Sequence, residues 1–445
     1  MQDATSLAAA IASGQTTACA VMEAALQRAA ELEHLGLIGR LEPELGERQV
    51  HAYPNIAFHG VPFLGKDLGS GAAGLTPCAG SLALRKRLPE IKEDSELFNR
   101  FRASGLVPFG LTTVPEFGLS LTSDPARNPW NENLTPGGSS GGAAGAVAAG
   151  IVAMAHATDA AGSIRVPAAC CGLVGLKPSR GASVGGPLFG NYLMGIASEF
   201  VLARSVRDIA TLYDHALWGR GDAAPAEGLF PQHPRIGLAI PDRCGPDQIR
   251  AVRAAAEALV VARCTLTVIR SPDALGARAS ALARLILSVS LAEWLDGLGV
   301  DLDEVSPLAA AVASEGRKVP ATKLFAASRE MMQLSHELSH FMRGQTLILS
   351  PVLSGPPPFV GHFDMKTTDV SAHFARMGAM APNAALANIA GLPALALPFG
   401  MAGGMPVGVQ LMGPLGSDRH LLRIGARLEK LAPKLTFPYA IAGHP

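Results

Sequence analysis

The chain has 445 residues, of which 48% are hydrophobic and 17% charged, and its 37 basic residues balance 37 acidic ones. A chain of this size can bury a core large enough to be stable without disulfides or metals. The apolar content excludes a disordered chain, and the neutral charge without a basic block argues against a nucleic-acid partner.

The remaining composition indicates the compartment. The six cysteines include no Cys-x-x-Cys pair, which indicates buried, reduced thiols. No basic segment opens the chain, so we predict no signal peptide and a cytoplasmic location. Two uncharged stretches, 141–157 and 377–417, resemble membrane spans in length. Because Ala and Gly dominate the first, and Pro and Gly interrupt the second, we predict a buried helix and buried strands with turns, and no membrane partner.

Apolar periodicity predicts alternating helices and strands along the chain. Residues 5–33 are typical of a helix pair that breaks near Ser13 and Gly14, with Thr17 as the N-cap of the second helix. A strand at 60–67 leads to Lys66, and a loop covers 111–135. Further helices are predicted at 94–104, 141–150, 247–262, 275–297 and 321–343, and further strands at 106–110, 236–240, 264–269 and 347–351. We therefore predict an α/β fold, with a central mixed β-sheet flanked by helices in a single large domain.

The densest motif is the Gly/Ser-rich segment 136–142, which is followed by the segment 159–165. It lacks the Gly-Lys-Ser/Thr ending of a phosphate-binding loop. A dinucleotide site, or the nucleophile elbow that Gly-x-Ser-x-Gly at 137–141 formally matches, requires a strand directly before it, and 128–135 is typical of a loop. A turn without chemistry is the remaining interpretation of this segment alone.

Taken together with Lys66, this segment favours a catalytic site with a serine nucleophile over a turn without chemistry. A serine hydroxyl becomes a nucleophile when a base removes its proton, and burial can keep a lysine amine neutral for that role. The small residues before Ser163 allow backbone N–H groups to converge on one point, as in an oxyanion hole.

At these residues the sequence resembles the amidase signature hydrolases, and the resemblance extends over about residues 5–430. It is most specific at Gly65-Lys66-Asp67 with Ala79-Gly80-Ser81, at 136–142, and at 158–178. The resemblance implies one amidase domain over 1–445, with its signature core at about 60–210. It also implies hydrolysis of a carboxylic amide, without a metal or cofactor.

The resemblance further implies a Ser-Ser-Lys triad. Ser163 would carry the acyl group, Ser139 would relay the proton after a cis peptide at Gly138, and Lys66 would be the final base. The oxyanion hole would consist of four backbone N–H groups, those of Ala160, Ala161, Gly162 and Ser163. The loop would be braced by two side chains, Asp159 and Arg165.

The chain departs from the family at two positions, since Ala157 and Ala161 stand where glycine is usual. Alanine fits there without strain only if φ is negative. We expect the methyl group of Ala161 to affect the range of acyl groups more than the chemistry.

Other candidate sites are weaker. His336 and His340 form a His-Glu-x-x-His helical motif, but no glutamate follows Glu337 until Glu429. His362 is a possible third zinc ligand without support from any motif, so we predict a partly exposed helix face. Cys170 and Cys171 are predicted to be buried packing residues, and His156 a structural one.

The alternatives are the glutamine-hydrolysing subunit of a tRNA-dependent amidotransferase and a non-catalytic binding protein on an amidase scaffold. The sequence after Lys177-Pro178 disfavours the first, and the intact triad disfavours the second. We expect a small amide substrate that contacts segments 112–130, 185–198 and 285–360. The sequence leaves a homodimer open.

Overall fold

The computed structural model describes residues 2–51, 56–184, 193–217 and 230–445. Its strands are β1 (Ile38–Leu41), β2 (Val61–Lys66), β3 (Leu106–Thr112), β4 (Met154–Asp159), β5 (Val174–Lys177), β6 (Ser198–Ala203), β7 (Arg235–Ala239), β8 (Thr265–Ile269), β9 (Leu347–Pro351), β10 (Ala394–Ala402) and β11 (Met405–Met412). Its helices are α1 (Ala4–Ala12), α2 (Ala18–Glu31), α3 (Pro43–Gln49), α4 (Leu82–Arg87), α5 (Glu96–Ala103), α6 (Gly141–Ala148), α7 (Arg165–Cys171), α8 (Val206–Ala216), α9 (Pro246–Val261), α10 (Asp273–Leu298), α11 (Pro307–Arg317), α12 (Ala321–Phe341), α13 (Val370–Met380), α14 (Ala384–Ala390) and α15 (Asp418–Leu431).

The described strands form one sheet of eleven, in the order β1-β3-β2-β4-β6-β5-β10-β11-β9-β7-β8. Strands β2, β3 and β4 are mutually parallel, as are β7, β8 and β9, whereas the pairs between these groups are antiparallel. The predicted single large α/β domain with a mixed sheet flanked by helices is therefore confirmed.

The three parallel strands β2, β3 and β4 determine where the candidate site lies. Strands β2, β3 and β4 are buried along their whole length, as expected for strands covered on both faces. Since β2 and β4 run in the same direction, their carboxyl ends lie at the same edge of the sheet. Lys66 ends β2 and Asp159 ends β4, so two distant motifs meet there.

Most predicted elements are confirmed, with ends shifted by a few residues. The N-terminal helix pair breaks where expected, and the Thr17 hydroxyl accepts a hydrogen bond from the Ala20 N–H at 3.1 Å. The interpretation of 377–417 as strands and turns is correct for β10 and β11 but wrong before them. Pro382 and Gly391 bracket a run without helix breakers, which forms α14, and α13 precedes it.

Among the described residues, one helix is long and apolar enough to cross a membrane by length and composition, and it is α10. Core helices of soluble proteins also meet this criterion. The uncharged stretch 141–157 forms the buried helix α6 and continues into β4, as its Ala and Gly content predicted.

Candidate active site

Lys66 is the fully buried amine of the site. Its amine donates hydrogen bonds to Ser139 Oγ at 2.8 Å and to Thr158 Oγ1 at 2.7 Å. Burial lowers the pKa of Lys66 to about 7, although the nearby carboxylates of Asp159 and Glu199 act to raise it. The amine is therefore held at the point where it can gain or lose a proton near neutral pH. Thr158, which the sequence analysis did not single out, is its second partner.

Ser139 lies in a tightly packed loop rather than after a strand. The Gly138–Ser139 peptide bond is cis, as the resemblance implies. A Cβ at Gly138 would lie 2.7 Å from the backbone nitrogen of Thr122, so only glycine fits there. The Ser123 hydroxyl donates to the Ser139 carbonyl at 3.2 Å and accepts from the Gly141 N–H at 3.1 Å. Both contacts fix the loop that presents Ser139 to Lys66.

Ser163 follows the short loop after β4 and is 8% exposed. Gly162 has a φ of +115°, a conformation that glycine adopts without strain. Its N–H donates to Asp159 Oδ1 at 2.7 Å, so this group, predicted for the oxyanion hole, instead holds the loop. Within the described ranges, the N–H groups of Ala160, Ala161 and Ser163 have no hydrogen-bond acceptor. Three of the four predicted donors are therefore available to a bound oxygen.

Asp159 accepts hydrogen bonds from the N–H groups of this loop and forms an ion pair with Arg165. Arg165 Nε lies 3.0 Å from Asp159 Oδ2, and its terminal nitrogen donates to Asn388 Oδ1 at 2.8 Å. Burial alone would raise the pKa of Asp159, but Arg165 and the backbone N–H groups hold it well below its usual range. Asn388 donates to the Asp159 carbonyl at 2.7 Å and also contacts its carboxylate. The sequence analysis missed Asn388, whose signal was a lone polar residue in the apolar run of α14.

A cavity of about 880 Å³ opens above these groups, and both Ser139 and Ser163 line it. Among the described residues, no hydrogen bond joins the two serine hydroxyls. A neighbouring cavity of about 660 Å³ shares part of its wall, including Leu121 and Ala161. The arrangement combines a buried amine, a hydroxyl in contact with it, a second hydroxyl and free N–H donors around one cavity.

Comparison with known proteins assigns the chain to a family. The family model described as Amidase matches residues 18–422. The chain belongs to the amidase signature family. It is therefore an enzyme that hydrolyses carboxylic amide C–N bonds, as predicted.

The similarity of this amidase to individual relatives extends over the full chain. It is 32% identical to the 6-aminohexanoate-cyclic-dimer hydrolase of Pseudomonas sp. (strain NK87), over 97% of this chain and 95% of that protein. A structure of 6-aminohexanoate cyclic dimer hydrolase complexed with substrate matches with a TM-score of 0.91 and 29% identity, over 99% of both chains. A chain of the glutamyl-tRNA(Gln) amidotransferase of Thermotoga maritima shares the fold, with a TM-score of 0.70 and 22% identity over 94% of both chains.

The cavity of this amidase is built from more of the chain than predicted. Segment 112–130 contributes Phe117 and Leu121, and segment 285–360 contributes Trp294 from helix α10. Of segment 185–198, residues 185–192 lie outside the described residues, and Leu193 lines the cavity. Segment 68–95 and the α13 residue Phe374 also line it and were not predicted. Phe374 lies in a segment without any motif of the family, whereas segment 68–95 includes the Ala79-Gly80-Ser81 motif.

The two alanines that replace the usual glycines fit without strain. Neither Ala157 nor Ala161 has a positive φ. Ala157 is buried within β4, whereas Ala161 is partly exposed on the wall shared by the two cavities. The methyl group of Ala161 is therefore positioned to contact substrate.

The competing candidate residues of this amidase lie either on an exposed helix face or in the buried core. His336 and His340 are both exposed on α12, and Glu337 between them accepts hydrogen bonds from Arg278. Cys170 and Cys171 are fully buried, and burial raises the pKa of each thiol. The prediction that the thiols are buried is wrong for two residues, since Cys19 is exposed and Cys244 is partly exposed.

Proposed function

We propose that this amidase cleaves its substrate through an acyl intermediate on Ser163, with Ser139 and Lys66 relaying the proton. The observation that carries the proposal is the buried 2.8 Å contact between Lys66 Nζ and Ser139 Oγ, beside a cavity that Ser163 also lines. Because its pKa is about 7, the Lys66 amine is substantially neutral at physiological pH and can accept a proton.

The reaction follows from these positions. Ser163 Oγ attacks the amide carbonyl, its proton passes to Ser139 Oγ, and the Ser139 proton passes to Lys66 Nζ. The N–H groups of Ala160, Ala161 and Ser163 stabilise the oxyanion, each by about 3 kcal/mol. Lys66 returns the proton through Ser139 to the leaving amine as the C–N bond breaks. Water then attacks the ester by the same relay and releases the acid.

The cavity supports a small amide with an apolar body as substrate. Its walls carry large apolar side chains, among them Phe117, Leu121, Trp294 and Phe374. A volume of about 880 Å³ lies within the usual range for small-molecule sites. Given the names of the full-length relatives, 6-aminohexanoate cyclic dimer is the first substrate to test, followed by linear amides with methylene chains.

The deciding experiment is peptide mapping after treatment with a small fluorophosphonate. We expect an adduct on Ser163 that forms more slowly in Lys66→Ala and Ser139→Ala variants and is unaffected by EDTA. Ser417→Ala, at a fully buried serine of another segment, is the matched control and should label normally. An adduct on Ser139 would overturn the assignment of roles.

The same preparations distinguish the alternative functions. Release of ammonia from glutamine, with no turnover of apolar amides, would favour the glutamine-hydrolysing part of an amidotransferase. Absence of both labelling and turnover would contradict the proposal and favour a non-catalytic protein on the same scaffold.

We also propose that residues 1–445 form one amidase domain with its signature core at about 60–210. The continuous sheet supports this extent, because strands from β1 to β11 pair within it. A single cooperative unfolding transition is expected by calorimetry, and two separated transitions would contradict it.

A further inference from the structure

His156 lies on β4, between the neighbouring strands β2 and β6, and its side chain contacts a residue of each. The backbone N–H of Lys66 donates to His156 Nδ1 at 3.3 Å, and His156 Nε2 lies 3.0 Å from Glu199 Oε2. A backbone N–H can only donate, so Nδ1 must carry its lone pair. The proton of the ring therefore resides on Nε2 and is donated to Glu199.

Glu199 connects this imidazole to the wall of the cavity. Its carboxylate accepts hydrogen bonds from the Ser70 N–H at 2.7 Å and the Ser70 hydroxyl at 2.9 Å. A Cβ at Gly69, whose φ is +107°, would lie 2.6 Å from Glu199 Oε2, so glycine is required for this approach. Gly69 and Ser70 both line the cavity that Ser163 lines.

Beyond the last backbone pair of β2 and β4, the side chain of His156 takes the place of a backbone acceptor. The parallel register of β2 and β4 stops at Leu64 and Ala155. Two residues further along β2, the Lys66 N–H is taken by the His156 side chain instead of by backbone. The rings of Phe98 and Phe101 pack against the imidazole, which fixes its orientation.

We propose that His156 and Glu199 are positioning residues for the reaction, which tie the backbone of Lys66 to the cavity wall at Gly69 and Ser70. This inference rests on the proposed role of Lys66 as base. The pair keeps the amine aimed at Ser139 and adds a negative charge behind it.

The charge of Glu199 gives the proposal an electrostatic signature. The charged groups acting on the Lys66 amine are Asp159 and Glu199, while the neighbouring Asp67 carboxyl accepts from the N–H groups of Cys78 and Gly80. Replacing Glu199 by glutamine removes one negative charge at nearly constant shape. Since a nearby negative charge favours the ammonium form, the acid limb of kcat/KM should move to lower pH, by about half a unit to one unit.

The test compares Glu199→Gln, His156→Asn and His156→Leu. The matched control is Asp208→Asn on α8, whose buried carboxyl group accepts hydrogen bonds from the Ala4 N–H and from the N–H and hydroxyl of Thr5 on α1. We expect Glu199→Gln to lower kcat by about ten-fold and shift the acid limb, since small misplacements of catalytic groups reduce rates strongly. His156→Asn should retain more activity than His156→Leu, because its amide oxygen can accept the Lys66 N–H.

Equal losses in Glu199→Gln and Asp208→Asn, with unmoved acid limbs, would overturn the proposal, as would full activity in His156→Leu. Failure of the proposed function gives a different result, since the parent enzyme would then show no Ser163 adduct. If no Ser163 adduct forms, the contact of Lys66 with His156 and Glu199 can still be tested. The stability difference between the parent and Lys66→Met, measured against pH with Glu199 intact and again with Glu199→Gln in both proteins, reports the pKa of Lys66 without turnover. A pKa that Glu199→Gln leaves unmoved would overturn the pair.

Discussion

Burial of Lys66 destabilises the folded protein at neutral pH, and a Lys66→Met variant should remove that effect. The pKa of this amine falls from an ordinary value of 10.5 to about 7 in the folded chain. At about 1.4 kcal/mol per pKa unit, this gap corresponds to roughly 5 kcal/mol. The variant also loses the hydrogen bonds to Ser139 and Thr158, each contributing about 1 kcal/mol. We therefore expect a net stabilisation of about 2–3 kcal/mol at pH 6.5.

The sign of this difference depends on pH. Below about pH 7 the amine is protonated in both the folded and unfolded chains, so the full destabilisation by Lys66 is present. Between about pH 7 and 10.5 the unfolded chain binds more protons, so the stability of the parent rises with pH while that of the variant gains nothing from this site. The advantage of Lys66→Met should thus shrink by about 1.4 kcal/mol per pH unit and reverse near pH 9.

Urea unfolding of both proteins between pH 6.5 and 9.5 measures this difference, because the other titrating groups are shared and cancel. A difference that stays constant with pH would show that Lys66 titrates near its ordinary value, and would refute the reasoning. The same pKa predicts that kcat/KM rises with pH through a midpoint of about 7, since the base acts in its neutral form.

Further substitutions test the loop, the cavity and the helix face. Asp159→Asn leaves the Arg165 guanidinium buried without its ion-pair partner, and should lower the free energy of unfolding by about 3–5 kcal/mol in urea titrations. Ala161→Gly should raise kcat/KM for amides with bulky acyl groups by about ten-fold relative to small ones, measured over a matched acyl series. His336→Ala and His340→Ala, with or without a chelator, should leave amide turnover unchanged, because both side chains are exposed on α12.

Each of these predictions has a contrasting result. Asp296→Asn, which removes an exposed ion pair, should change stability by less than about 1 kcal/mol, and an equally small loss at Asp159 would contradict the buried brace. Unchanged selectivity in Ala161→Gly would show that the methyl group does not contact the acyl group. Loss of activity on chelation would indicate that the two histidines hold a metal that the reaction needs.

Short motifs carried most of what the sequence could predict about the site. Lys66, Ser139, Asp159 and Arg165 stand in continuous segments rich in small residues, and the structure brings them together at the ends of β2 and β4. The parallel pairing follows from apolar strands without polar alternation, which is typical of a sheet covered on both faces. Local composition was therefore informative wherever backbone geometry decided the arrangement.

Periodicity was less informative where small residues reduce the contrast between helix and strand. Helix α14 has the sequence Ala-Ala-Leu-Ala-Asn-Ile-Ala, in which apolar residues occupy every face, so neither the helical nor the strand period is visible. Because Pro382 and Gly391 flank this run, the sequence predicts strands and turns there, whereas the structure has a helix. The same run conceals Asn388, which contacts Asp159 across 229 residues of sequence.

The motifs did not reveal residues that contact the site only from a neighbouring strand. Glu199 lies within no recognisable motif, and it meets His156 only because β4 and β6 pair with Glu199 opposite Thr158. That register places the carboxylate beside the strand end that carries Lys66, where its charge acts to raise the pKa of the buried amine. The contact between His156 and Glu199 depends on how whole strands pair. The role of the two residues can therefore be tested only once the strand order of the sheet is known.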